Sequence, residues 1–105
     1  MPVMDETRPF EIASERTGKD TRTVWLRVAK DGAIVMEAQD LGEIVKRQFD
    51  HDEYEFHVCV AQSALAKLAF ELLRDKYAGQ TGAVDALREY CKERGIPHTF
   101  STSPA

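Results

Sequence analysis

Residues 23–39, TVWLRVAKDGAIVMEAQ, read as a β-hairpin, and the way its two arms meet decides the fold. Val24, Leu26 and Val28 alternate with Thr23, Trp25 and Arg27 before the bend Lys30-Asp31-Gly32, and Ile34, Met36 and Ala38 alternate with Val35 and Glu37 after it. Successive side chains of a strand point to opposite faces, so a shift of one residue in the pairing moves every side chain to the wrong side. A two-residue Asp31-Gly32 loop would set Val28 against Val35 and Leu26 against Glu37. A three-residue loop with Gly32 left-handed sets Val28 against Ile34, Leu26 against Met36 and Val24 against Ala38. The longer loop is expected, because it keeps one face wholly apolar and gathers Thr23, Trp25, Arg27, Val35 and Glu37 on the other.

The flanking elements follow from their own periods. Phe10 to Ser14 is a strand candidate, with Phe10 and Ile12 alternating against Glu11, and Gly18 to Asp20 is the loop after it. Asp40 is expected to cap a first helix, with Glu43 three residues on and Leu41, Ile44, Val45 and Phe49 as its apolar stripe. From Glu53 to Val60 the alternation returns, with Tyr54, Phe56, Val58 and Val60 on one side and Glu53, Glu55, His57 and Cys59 on the other. Ser63 is expected to cap a helix to about Tyr77, with Leu65, Leu68, Ala69 and Leu72 inward and Gly79 as its stop; Thr81 caps the next, whose stripe is Val84, Leu87 and Cys91 and whose stop is Gly95. Ile96 to Phe100 reads as a final strand, held to an edge by Pro97. The order β-β-β-α-β-α-α-β predicts an α+β domain over residues 10–100: a mainly antiparallel sheet of four to five strands with helices packed on one face. Residues 1–9 and 101–105 are expected to be flexible ends.

The 105 residues suit one ordinary domain, and 43% apolar with 30% charged residues argue against bulk disorder and a coiled coil. A net charge of -4 and a pI near 5.3 are unlike a general nucleic-acid or anionic-membrane binder. The excess is local: Asp50, Asp52, Glu53 and Glu55 fall in one stretch without Lys or Arg. The acidic start of the chain lacks a signal core, no stretch is long and apolar enough for a membrane span, and the two cysteines fit neither a zinc motif nor a disulfide framework, so a cytoplasmic setting is expected.

Three sets of residues carry candidate chemistry. Glu53, Glu55, His57 and His51 are metal-ligand types, but same-face residues of one strand lie about 7 Å apart, too far to close a coordination shell alone. A solvated polar face is the preferred reading, with no metal and no cofactor. Cys59 or Cys91 with His51, His57 or His98 supplies the types for nucleophilic catalysis. Cys91 lies on an apolar stripe, however, and Cys59 shares a face with two glutamates that disfavour its thiolate. No phosphate-binding glycine loop is present, and carboxylate pairs such as Asp40 with Glu43 or Glu53 with Glu55 are common on solvated surfaces. No catalytic residue is assigned. The third set is the second face of the sheet, where Trp25, Arg27 and Glu37 meet Glu53, Glu55 and His57 if the strand from Glu53 joins the hairpin. Trp25 is either open on that face or covered by the N-terminal tail or first strand.

Leu26, Asp31-Gly32, Glu37, Asp40-Leu41-Gly42, Tyr54-Glu55 and Gly95-Ile96-Pro97 together form a pattern that resembles a group of small uncharacterised bacterial proteins, over about residues 24–100. The resemblance implies no activity and no site residue. Size and acidity are also similar to bacterial immunity proteins, a likeness of composition alone. The expectation is a non-catalytic protein-binding domain using an acidic sheet face of Trp25, Arg27, Glu37, Glu53, Glu55 and His57. The alternatives are a single-stranded nucleic-acid binder using Trp25 and Arg27, which the acidic surroundings disfavour, and third a small hydrolase or transferase. The partner is an unidentified protein; a second copy of the chain is a further candidate, through apolar helix positions such as Phe70 and Leu73.

Overall fold

Alternation in the first half and helical periodicity in the second are realised as four strands followed by two helices in a computed structural model that describes residues 8–42, 46–47 and 53–104. The strands are β1 (Phe10–Thr17), β2 (Asp20–Val28), β3 (Ile34–Leu41) and β4 (Glu53–Val60). A 3-10 turn at Gln62–Ala64 leads into α1 (Leu65–Tyr77), and α2 (Ala83–Glu93) follows. The strands form one sheet in sequence order, each antiparallel to the next. The class is α+β. Between β3 and β4, where the sequence predicts a first helix, the two described residues 46–47 are helical; the last strand of the expected order β-β-β-α-β-α-α-β is not formed among the described residues. By backbone contacts the chain divides into two compact units, Met1–Leu68 and Ala69–Ala105.

In the first unit the central hairpin has the expected register: Val28 faces Ile34, Leu26 faces Met36 and Val24 faces Ala38. Its loop is Lys30-Asp31-Gly32. The Ala29 N–H donates to the Ala33 carbonyl at 2.9 Å and the Gly32 N–H to the Ala29 carbonyl at 2.9 Å, while Asp31 Oδ1 accepts from the Ala33 N–H at 3.0 Å. Gly32 takes φ +84°, and a Cβ there would also collide with the Gln62 side chain at 2.9 Å. The backbone conformation calls for glycine here, and any larger residue would also displace the end of the Gln62 side chain.

Two expectations at the sheet ends are corrected. Asp40 is no helix cap: it lies in β3 opposite Arg22 and Tyr54, and its two carboxylate oxygens accept from Arg22 Nε and Nη2, both at 2.6 Å. That bidentate cross-strand pair, stronger than a single neutral hydrogen bond, carries the strand on to Leu41. Gly42 follows at φ +126°, where an added Cβ would lie 2.7 Å from the Lys19 carbonyl oxygen, so its own backbone lies at the strand end and not inside a helix. Residues 46–47 are helical, with the Lys46 N–H donating to the Gly42 carbonyl at 3.2 Å; Glu43, Ile44, Val45, Phe49 and the acids at 50 and 52 lie outside the described residues. The first strand is longer than expected and its alternation breaks: Glu11 pairs with Trp25 but Ala13 pairs with Val24, a bulge that resets the faces.

The second unit holds most of α1 and all of α2. Gly79 at φ +79° ends the turn after α1, as expected. Gly95 at φ +63° closes α2 with the Ile96 N–H donating to the Cys91 carbonyl and the Gly95 N–H to the Lys92 carbonyl, the paired bonds of a Schellman ending. The helix starts differ from expectation. Ser63 lies inside the 3-10 turn, and the cap of α2 is Gly82, with no side-chain hydrogen bond, instead of Thr81. The apolar stripes are half realised: Leu65, Leu68, Leu87 and Cys91 are half-buried, whereas Leu72 and Val84 are 59% and 68% exposed. Residues 96–100 form no strand. Pro97 lacks the N–H a ladder needs, His98 Nδ1–H donates back to the Ile96 carbonyl at 2.8 Å, and the Phe100 ring lies 4.0 Å from the Arg88 guanidinium carbon.

Candidate functional site

Because β4 pairs with β3 in the register Val35 to Cys59, Glu37 to His57, Gln39 to Glu55 and Leu41 to Glu53, every residue singled out on the polar side of the sheet falls on one face. Trp25 lies directly between Glu11 of β1 and Glu37 of β3. Glu37 is the hub of the face: its Oε1 accepts from Arg27 Nε at 2.9 Å and its Oε2 lies 3.2 Å from His57 Nδ1. The other ring nitrogen of His57 is 3.4 Å from Glu55 Oε2. The polar contacts thus run Arg27, Glu37, His57, Glu55 across three strands. Gln39, on the same face, donates to Glu53 through its side-chain amide.

Beside this ladder is a shallow cavity of about 230 Å³ lined by Trp25, Glu37, Ala38, Gln39, Glu55 and His57. Its walls are an indole, two carboxylates, an imidazole and an amide, a set suited to a cationic side chain: carboxylates neutralise it and an indole face attracts it. Arg27 and Glu53, also expected here, belong to the same face but not to the cavity wall. Gln39, the last residue of the expected hairpin, was not singled out; extending the alternation Val35, Glu37 by one step places it on this face. Glu11 beside Trp25 could not have been placed, since the bulge that aligns it leaves no mark in the apolar pattern.

No family model, curated protein or solved structure matches the chain. Site assignment therefore rests on geometry. Among the described residues no group of three or more His, Cys, Asp or Glu could hold a metal ion, and no helix is long and apolar enough to cross a membrane. Cys59 and Cys91 are free thiols; Cys59 is exposed and pairs with Val35 on the same side of the sheet as Glu55 and His57.

The opposite face is not wholly apolar. Val24, Met36, Ala38, Phe56 and Val58 border a second concavity, of about 420 Å³, and beyond Phe56 the face ends in the Arg22–Asp40 pair. The Arg22 guanidinium carbon is 5.5 Å from the Phe56 ring centre. Hydrogen bonding to Arg22 holds the Asp40 carboxyl below the usual carboxylate range, and the same bond raises the pKa of Arg22.

Proposed function

We propose that this chain is a non-catalytic protein-binding domain that takes a basic segment of its partner on the sheet face of Trp25, Arg27, Glu37, Glu53, Glu55 and His57. The observation that carries the reading is the cavity in which an indole and the carboxylates of Glu37 and Glu55 stand together. A lysine or arginine side chain entering it meets opposite charge and an aromatic face at once, and the flanking Glu53 and Glu11 extend the negative potential along the sheet. Trp and Arg are also the residue types most enriched where interface energy concentrates.

Nucleic-acid binding fits this face less well. A single-strand platform uses several aromatics among free cations, whereas the cation beside Trp25 is already bonded to Glu37. Phosphates would approach carboxylates with little to offset the repulsion.

The test is a pull-down from lysate of the source cell with wild type and a Trp25→Ala, Glu53→Lys, Glu55→Lys variant, after circular dichroism shows both fold alike. Wild type retains a specific protein that the variant loses. Equal recovery by both, or recovery of nucleic acid alone, would overturn the assignment of this face.

A further inference from the structure

The hydrogen-bond ladder shows which backbone groups of β4 point away from the sheet. The Ala29–Ala33 bond makes that pair a hydrogen-bonded one, and in an antiparallel ladder bonded and non-bonded pairs alternate. Arg27–Val35 and Trp25–Glu37 are then bonded pairs, so Ile34, Met36, Ala38 and Asp40 direct their N–H and C=O groups the other way, toward Val60, Val58, Phe56 and Tyr54 of β4. The remaining residues of β4, Glu53, Glu55, His57 and Cys59, direct theirs outward. Among the described residues β4 has a strand on one side only.

The two edges of the sheet differ in how they are guarded. Pro9 precedes β1, which carries Arg16 and a bulge at Glu11/Ala13, all devices that discourage strand addition. β4 pairs with β3 without a bulge over its whole length and contains no Lys, Arg or Pro. Its outward residues are also self-complementary. In an antiparallel pairing of two copies of β4 with Phe56 at the twofold axis, Glu55 of each copy lies opposite His57 of the other, and Glu53 opposite Cys59. All four outward residues then meet outward residues. An axis at His57 or at Glu55 sets that residue against itself and leaves one outward residue without an outward counterpart.

We propose that β4 is a homodimerisation edge, joining two copies antiparallel about Phe56 into one eight-stranded sheet. The side-chain pattern selects a second copy as the occupant: Glu55 and His57 flank Phe56 symmetrically and both are half exposed, so the carboxylate of each copy meets the imidazole of the other, twice, and the Glu37–His57–Glu55 run of one chain continues into its twin. The joined sheet also makes each polar face continuous with its twin.

The experiment combines mass with cross-linking. Sedimentation equilibrium of wild type over a concentration series gives twice the 11.9 kDa of the chain. Glu55→Pro removes an outward N–H without touching the bonds to β3, and gives a monomer with an unchanged circular dichroism spectrum. Phe56→Cys in a Cys59→Ala, Cys91→Ala background then forms an intermolecular disulfide with oxidised glutathione, because opposed non-bonded residues lie about 4.5 Å apart between Cα atoms, within disulfide range. Met36→Cys, one strand inward, does not. A wild-type monomer at every concentration, a dimer that survives in folded Glu55→Pro, or equal cross-linking at both positions would overturn the proposal. If Glu55→Pro fails to fold, the contrast between the two cysteine positions decides alone.

Discussion

The two faces of the sheet are made by alternate residues of the same strands, yet they handle their side chains in opposite ways. On the Trp25 face, Val35 is only 5% exposed and polar groups are joined across strands from Arg27 through Glu37 and His57 to Glu55. On the other face, Met36 and Val58 are 44% and 65% exposed although they are apolar. Alternation assigns a residue to a face; it does not say how far that face is covered. Side chains of the polar face bond one another directly, whereas apolar side chains need a second layer to exclude water.

The comparison can be broken most severely at the loop that sets the faces. Gly32→Val forces a β-branched residue into a left-handed conformation against Gln62, and should cost about 3 kcal/mol in urea unfolding. A loss below half of that would mean that the register does not depend on this loop. Next comes Val35→Ala, which removes the buried apolar residue of the polar face and should cost about 2 kcal/mol.

A smaller effect belongs to the Arg22–Asp40 pair at the end of the apolar face. Because the Asp40 carboxyl titrates lower in the folded chain than in the unfolded one, its stabilisation is complete above the ordinary carboxylate range and is lost as pH falls through the folded value. Arg22 is solvated, so the effect is modest and weakens with salt. Asp40→Asn should flatten part of the acid limb of a stability-against-pH curve, and an unchanged limb would show that the pair does not couple to folding. Smallest of all is Val58→Ala, expected to stay within about 0.5 kcal/mol because the side chain is already largely in water. If Val58→Ala costs as much as Val35→Ala, the contrast between the faces fails.

How much of this was legible in the sequence follows the same physics. The hairpin register could be worked out from Val24, Leu26, Val28, Ile34, Met36 and Ala38, since one face of uniform polarity leaves a single acceptable pairing. The site residues followed, because parity along β2, β3 and β4 sends Trp25, Arg27, Glu37, Glu53, Glu55 and His57 to one side. Asp40 was misread because an aspartate before Leu41 and Glu43 has the local look of a helix cap, and only Arg22, 18 residues away, makes it a strand residue. The segment after Gly95 was misread for the opposite reason: Ile96 and Phe100 have strand propensity, but Pro97 and the local His98 bond leave them no ladder to join.

The most direct test of the binding face uses the single tryptophan of the chain as its own reporter. Titration of the protein with a lysine- and arginine-rich peptide, followed by Trp25 emission, should give a saturable change in wild type. The change should shrink at least tenfold in apparent affinity in Glu37→Gln, Glu55→Gln, and an oligothymidine strand should produce none in wild type. Equal peptide responses in wild type and variant, or a saturable response to the oligothymidine, would contradict the assignment of this face to a basic protein partner.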